Sequence, residues 1–308
     1  MFNVKLTLLF CPKPLVANGN PDDKNYRKDM FTPEQRIQLF DALVAKTKNP
    51  IDLVSDETLK NVLTWGRAEM IPKLADIGVK IEGQHFVRAA NPYHRPNEAI
   101  KIMEAVLPYD GNNVNVADSR GVNAGHAVAE NADLDAFKWL EERGLKKEAV
   151  AKEIWPSTYA HMVAIGRDNL EEKRIKFASY LADNKYPIDA PGRDNTTPTE
   201  SAIDKGRVSL ALVYINAGAA AKPEYLPRSI AATHFNTAKA KDVRAIGKKL
   251  AEKGEMSKDT VTRAFKELFH IIAKNRKNIQ QGVPIAVHLL FQKNHTTRGC
   301  KKEEQRPT

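Results

Sequence analysis

The sequence of 308 residues predicts an all-α protein in which pairs of helices recur about every 33 residues. The first observation behind this prediction is a regularly spaced series of positions that each follow an apolar helical stretch. A glycine just past a helix end adopts a positive φ without steric cost, so such a series marks helix ends. Its members are Gly78, Gly111 and Gly144, each 33 residues from the next, then Lys185 and Gly218, again 33 apart, and Gly254.

The second observation is a set of helix-start signals, clearest between Thr197 and Ala219. Thr197, Pro198 and Glu200 make a capping box, in which the threonine and glutamate side chains each accept a backbone N–H. The run Thr-Pro-Thr-Glu-Ser-Ala-Ile-Asp-Lys-Gly from Thr197, followed by Gly218 and Ala219, resembles the T-P-L-H-x-A-A-x-x-G to G-A pattern of ankyrin repeats. Glu200 stands where that family usually has histidine.

Two further units resemble the same family. One runs from Asp118 to Gly144 and includes His126, and the other runs from Leu59 to Gly78. The resemblance covers Asp52 to Glu255, and it implies an ankyrin-repeat helical solenoid of about six irregular repeats with non-repeat helical caps at both ends. It also implies that His126 and His161 link neighbouring turns by hydrogen bonds, and that a concave face binds a partner.

Three insertions interrupt the period. Asn91–Asn97 breaks one helix pair, a 41-residue step adds eight residues near Gly166–Lys173, and Gly192–Thr196 lengthens one turn by three residues. Irregular repeats of this kind indicate an array adapted to one partner rather than a uniform scaffold.

The regions outside the repeats divide the chain into an arm and capping helix (1–50), the array (51–255) and a basic helical cap with a tail (256–308). A capping box at Thr32 opens the first cap, whose helix has one apolar face to lay on the array. Ser257 is expected to start a long helix in the last part, and a final helix is expected near 285–291.

Composition and charge bear on several classes of protein. No apolar run approaches the ~20 residues that a membrane-spanning helix needs. The N-terminal apolar run 6–11 favours a short strand or a packed arm, with a secretory signal as the alternative. Cys11 and Cys300 are too few for a disulfide framework and fit a reducing compartment such as the cytoplasm. Residues 1–221 carry a net charge of −1 and residues 222–308 carry +11, so the basic end attracts polyanions or an acidic protein surface.

The patterns of familiar catalytic sites are missing from the sequence. It contains neither G-x-x-x-x-G-K-[ST] nor G-x-G-x-x-G after a strand. His126 and Glu130 are four residues apart, but the second histidine of a zinc-binding H-E-x-x-H is missing. Glu141 and Glu142 are neighbours on a predicted helix, so they do not face each other as an acid–base pair would. We therefore expect no catalytic residue, no cofactor and no metal.

The candidate partner-binding residues lie at turn tips and in an insertion, because ankyrin-type units present these positions to a partner. Tyrosine, tryptophan and arginine stand out among them, since they are common anchors at protein interfaces. The candidates are Tyr93, His94 and Arg95 in the insertion, Ser119, Arg120, Val122 and Asn123 in one turn, Trp155 before a proline, and Arg193, Asp194 and Asn195 in another turn.

The sequence thus predicts a protein–protein interaction module that binds through a concave face without catalysis. Two alternatives stay open: the basic C-terminal third binds nucleic acid or anionic lipid, or an enzyme site forms between the terminal regions and the repeats. Degenerate ankyrin arrays with non-repeat ends also resemble effectors that intracellular bacteria deliver into host cells. That resemblance implies a host protein as partner and secretion without a classical signal peptide. A cytoplasmic adaptor of cellular or viral origin is the alternative.

Overall fold

The computed structural model describes six stretches of the chain, residues 31–91, 98–148, 158–166, 170–192, 195–233 and 239–274. Within these stretches the regular elements are fourteen α-helices and two short 3-10 helices, with no β-strand. The predicted all-α fold class is therefore confirmed. Among the same residues, no helix is both long and apolar enough to cross a bilayer.

The helices are short, and most have seven to nine residues. The first seven are α1 (Pro33–Ala45), α2 (Asp56–Thr64), α3 (Met70–Asp76), α4 (Gly83–Ala89), α5 (Ala99–Val106), α6 (Ala124–Glu130) and α7 (Leu134–Glu141). The other seven are α8 (Tyr159–Ile165), α9 (Glu171–Asp183), α10 (Pro198–Asp204), α11 (Val208–Asn216), α12 (Tyr225–Thr233), α13 (Ala240–Glu252) and α14 (Lys258–Lys274). The 3-10 helices are Pro50–Leu53 and Leu107–Asp110.

Helices α2 to α13 pack in pairs, and the pairs form two rows of helices. Within each successive pair, from α2 and α3 to α12 and α13, the two helices touch. The first helices of the pairs form a first row, in which α2, α4, α6, α8, α10 and α12 each contact the next, and α14 extends this row from α12. The second helices form a second row, and the rings of Phe137 in α7 and Phe177 in α9 lie 5.0 Å apart within it. Each pair therefore buries its apolar surface against the pairs beside it.

The residues predicted to follow helix ends adopt the left-handed backbone conformation, with a positive φ, that the glycine series predicted. All five glycines have a positive φ, and it ranges from 64° at Gly111 to 107° at Gly218. Lys185 takes the same left-handed conformation with a φ of 62°, although its Cβ makes this conformation less favourable than it is for glycine. The spacing in the sequence therefore correctly located six helix ends, including the one that lacks glycine.

Aromatic side chains fill the middle of the molecule. Phe137 is fully buried and its ring lies 5.1 Å from that of Tyr159 and 5.5 Å from that of Tyr186. Together with Phe177 these rings join the pair α6–α7 to the pair α8–α9. Edge-to-face contacts of this kind add about 0.5–1.5 kcal/mol each beyond the burial of area.

Two buried arginines hold the ends of first-row helices. The guanidinium of Arg174 donates to the carbonyls of Val163 (2.9 Å) and Glu130 (2.7 Å), near the ends of α8 and α6. Arg207 donates to the carbonyls of Ala164 and Gly166 at 2.5 Å each. A helix leaves its last carbonyls without partners, and a cation is favourable at that end of the helix dipole. These arginines therefore stabilise buried backbone that would otherwise lack hydrogen bonds.

The ends of the described chain agree in part with the sequence prediction. The capping box at Thr32 is confirmed, and Arg36 of α1 pairs with Glu69 at 2.6 Å. Ser257 lies directly before α14, and its hydroxyl accepts the N–H of Thr260 at 3.1 Å. The predicted N-terminal arm, the final helix near 285–291, Cys11 and Cys300 lie outside the described residues, as does most of the insertion at Asn91–Asn97.

Candidate functional site: a groove across three helix pairs

A groove of about 1150 Å³ runs across the first three pairs of helices. Its wall consists of the exposed sides of α2, α4 and α6 and of the segments that precede these helices. Three consecutive members of the first row thus present one continuous surface. It is the natural candidate for binding, since ligand sites in proteins are concave.

The groove lining includes aliphatic side chains. Ile51, Val54, Val79 and Val122 are half-buried or exposed, and Ile51 retains 37% of its accessible surface. Leu59, Val87 and Ala127 also line the groove and are buried. The groove therefore offers apolar surface among its charged residues.

The turn that precedes α6 is held by one carboxylate. Asp118 accepts the backbone N–H of Arg120 (2.9 Å) and of Val122 (3.0 Å), and also the guanidinium of Arg120 (2.8 Å). Burial alone would raise the pKa of Asp118, but the hydrogen bonds from Arg120 and from the backbone lower it below its ordinary value. Gly121 supplies the positive φ, 78°, that the turn needs. The turn therefore offers an oriented arginine that is half-exposed to a partner.

Charges along the groove balance. The cationic side chains are Lys60, Lys80, Arg88 and Arg120, and the acidic ones are Asp56, Glu82, Asp118 and Glu130. Two opposite pairs are in contact, Arg120 with Asp118 at 2.8 Å and Lys80 with Glu82 at 3.1 Å. The lining thus has no excess of positive or negative charge. It suits a partner surface that carries charges of both signs together with apolar groups.

His85 lies in the groove at the start of α4. Its Nδ1 accepts the backbone N–H of Glu82 at 2.9 Å, which caps the helix. Burial lowers the pKa of His85 more than the attraction of Glu82 raises it, so the ring is neutral at physiological pH. A neutral histidine of this kind is a hydrogen-bonding group for a partner and adds no charge to the groove.

The structure brings three of the predicted residues together in this groove. Ser119, Arg120 and Val122 all line it. Asn195 is exposed with a φ of 57°, and it lies outside the groove lining. The other candidates Tyr93, His94, Arg95, Trp155, Arg193 and Asp194 lie outside the described residues.

Asn123 is placed differently from the sequence expectation of an exposed turn residue. Only 3% of it is accessible, because its side chain caps α6 by accepting the N–H of His126 at 3.1 Å. Its amide nitrogen donates to the hydroxyl of Tyr159 at 3.0 Å. Asn123 therefore positions the turn and links two pairs, and its side chain is not part of the surface.

Several lining residues were missed by the sequence analysis. They come from the polar sides of short helices, where a residue that faces a groove looks the same in sequence as one that faces open solvent. A usable signal exists, because all of them lie on the first helix of a pair or directly before it. They include Asp56, Lys60, Gln84, His85, Arg88 and Glu130.

A second polar cluster lies on the second row, away from this groove. The Glu141 carboxylate accepts the hydroxyls of Tyr180 and of Tyr186, the latter at 2.5 Å. Burial and the hydrogen bond to Glu141 raise the pKa of Tyr180 to about 12, and burial raises that of Tyr186 further. Both phenols stay protonated at neutral pH, so the cluster joins α7 to α9 and does not supply a nucleophile.

Among the described residues, no group of three histidine, cysteine, aspartate or glutamate side chains is placed to hold a metal ion. Comparison with models of known protein families gives no match for the chain. A search of curated proteins gives no significant match either.

Proposed function

We propose that the protein binds another protein through the groove formed by α2, α4 and α6, and that its helix pairs are the repeats of an ankyrin-type array. The observation that carries this proposal is one concave surface across three successive first-row helices that contains Ser119, Arg120 and Val122. The two rows of helices and the left-handed helix ends at 33-residue spacing support the comparison with ankyrin repeats.

The chemistry of the groove favours a protein over the other ligand classes. A polyanion would meet as many acidic as basic side chains there. A protein segment can place apolar side chains on the aliphatic lining residues and its charged groups against Lys60, Arg88 or Arg120. Arginines next to buried aliphatic surface are frequent energetic centres of protein interfaces. The partner is therefore expected to present an aliphatic segment flanked by charged residues.

Charge reversal within the groove tests this proposal. The double variant Lys60→Glu with Arg88→Glu changes two exposed residues of the lining, and Lys241→Glu with Lys248→Glu makes the same charge change on α13 as a control. Each chain is used to capture proteins from cell lysate, and captured proteins are quantified by mass spectrometry. We expect the groove variant to lose specific partners by about tenfold or more, since loss of a central contact costs on the order of 2 kcal/mol.

A photo-crosslinking residue gives an independent measurement. Placed at Gln84 in the groove it should form covalent adducts with the same partners, whereas at Lys248 it should not. Equal capture by the two double variants, or equal crosslinking from both positions, would contradict binding through this groove. Circular dichroism spectra of all variants should match that of the natural chain, because the substituted side chains are exposed.

A further inference from the structure

The third residues of α4, α8 and α10 perform the same task with different chemistry. In this position the side chain accepts the backbone N–H of the residue that caps the helix. The distances are 2.9 Å for His85 in α4, 3.2 Å for His161 in α8 and 2.7 Å for Glu200 in α10. Two of the helix starts are thus held by an imidazole and one by a carboxylate.

His161 must be neutral with its proton on Nε2 to make the contacts observed. Its Nε2 lies 2.9 Å from the carbonyl oxygen of Thr196, which can only accept, so Nε2 donates. Its Nδ1 is then the acceptor for the N–H of Thr158. His85 uses Nδ1 as the acceptor for Glu82 in the same way. Protonation of either ring would turn the acceptor into a donor and break the bond.

The surroundings of both rings oppose that protonation. Burial is the largest effect and lowers the pKa of both His85 and His161 from the ordinary 6.5. The first turn of a helix is the positive end of its dipole, which disfavours a cation. The charged groups that face His85 are Glu82, Asp56 and Asp110, which attract its cation, and Arg88, which repels it. For His161 the facing charge is Glu200.

His126, at the start of α6, differs most clearly from His85. Its Nδ1 lies 2.7 Å from the side-chain oxygen of Asn123 and 3.3 Å from the N–H of Asn123. An oxygen at this distance can accept a proton carried by Nδ1, so a charged ring would keep a partner there. At His161 the hydroxyl oxygen of Thr158 lies 3.1 Å from Nδ1, so the start of α8 should loosen less than that of α4. His126 thus provides an internal control for His85.

We propose that His85 and His161 form an acid-sensitive latch: acidification below pH 6.5 loosens the starts of α4 and α8, while Glu200 keeps the start of α10 closed. Since the folded pKa of each histidine is lowered, its contribution to stability is complete above 6.5 and is lost as the pH falls below that value. Burial would raise the pKa of Glu200, but hydrogen bonds from Thr197 and Lys222 lower it below 4.5, so its contribution is lost only in stronger acid.

Hydrogen exchange of the full chain at pH 7.5 and 5.5, corrected for intrinsic rates, tests the latch. Amides of α4 and α8 should lose protection by up to about tenfold per pH unit below 6.5 for each titrating histidine. Amides of α10 should keep theirs. An equal loss in all three helices, or no loss in α4 and α8, would overturn the proposal. No partner is needed, so the result is independent of the proposed function.

Substitutions identify the groups responsible. His85→Gln with His161→Gln keeps an acceptor at each helix start without a titrating group, so the pH dependence in α4 and α8 should vanish. His126→Gln should leave it unchanged. If the double variant does not fold, NMR titration of the histidine rings in the natural chain decides instead. The titration midpoints of His85 and His161, the pH at which each ring is half-protonated, should lie below 6.5. Midpoints at or above 6.5 would refute the latch.

Discussion

Arg174 shows how one buried charge joins distant parts of the chain. It comes from α9 but bonds to carbonyls at the ends of α6 and α8, so it fixes three helices relative to one another. A buried cation is costly unless its donors are satisfied, and here the acceptors are carbonyls that the helices leave without partners. The arginine and the helix ends therefore depend on each other.

Replacement of Arg174 by methionine should destabilise the fold by about 3 kcal/mol, because two buried carbonyls lose their donors at once. Lys176→Met, on the exposed side of the same helix, should change stability by less than about 0.5 kcal/mol. Urea denaturation followed by circular dichroism measures both. Comparable midpoints for the two variants would show that the buried hydrogen bonds contribute little.

The role of Arg174 could not be read from the sequence, where it stands in an ordinary charged run, Glu171 to Lys176. Its partners are backbone carbonyls. Every residue has one, so the residue types do not indicate which carbonyls accept these hydrogen bonds. The buried position of Asn123 could not be predicted for a similar reason, since a polar turn residue can either cap a helix or face solvent. The turn residues Ser119, Arg120 and Val122 were accessible to prediction because the glycine spacing located the turn itself.

The stability of a short helix depends strongly on the residues at its two ends. Among the six helix ends at the predicted spacing, the one at Lys185 is the least favourable. Its φ of 62° is the left-handed conformation that glycine adopts at the five equivalent positions. A side chain there costs roughly 1 kcal/mol. The sequence located this helix end from spacing alone, whereas helix lengths, such as the thirteen residues of α9, followed from packing and were not foreseen.

Lys185→Gly should therefore stabilise the protein by about 1 kcal/mol, by relieving the left-handed strain. The same substitution inside α9, Lys176→Gly, should destabilise it by about 1 kcal/mol because glycine is a poor helix former. Thermal denaturation of the two variants gives the comparison. The prediction fails if both substitutions shift the melting temperature in the same direction.

The two rows of helices give the described part of the chain a linear pattern of contacts, in which each pair touches mainly its neighbours. Stability in such an arrangement is a sum of local terms and terms between adjacent pairs. A defect should therefore loosen its own neighbourhood before it loosens distant pairs. Phe137, at the junction of the pairs α6–α7 and α8–α9, is the most informative place to introduce one.

Phe137→Ala should cost about 3–5 kcal/mol, since it removes a fully buried ring from the aromatic cluster. Hydrogen exchange should then speed up most in α6 to α9 and least in α13 and α14. Leu250→Ala, which empties a buried position in α13, should instead speed up exchange most in α13 and α14 and less in α6 to α9. Uniform acceleration in both variants would mean that the array opens only as one cooperative unit.

The groove takes its lining from three separate parts of the chain, around residues 51–64, 79–91 and 118–130. If the groove binds the proposed partner, short synthetic peptides copied from any one of these parts should fail to compete for it. An antibody that blocks such binding should recognise the folded chain and miss it on a denaturing blot.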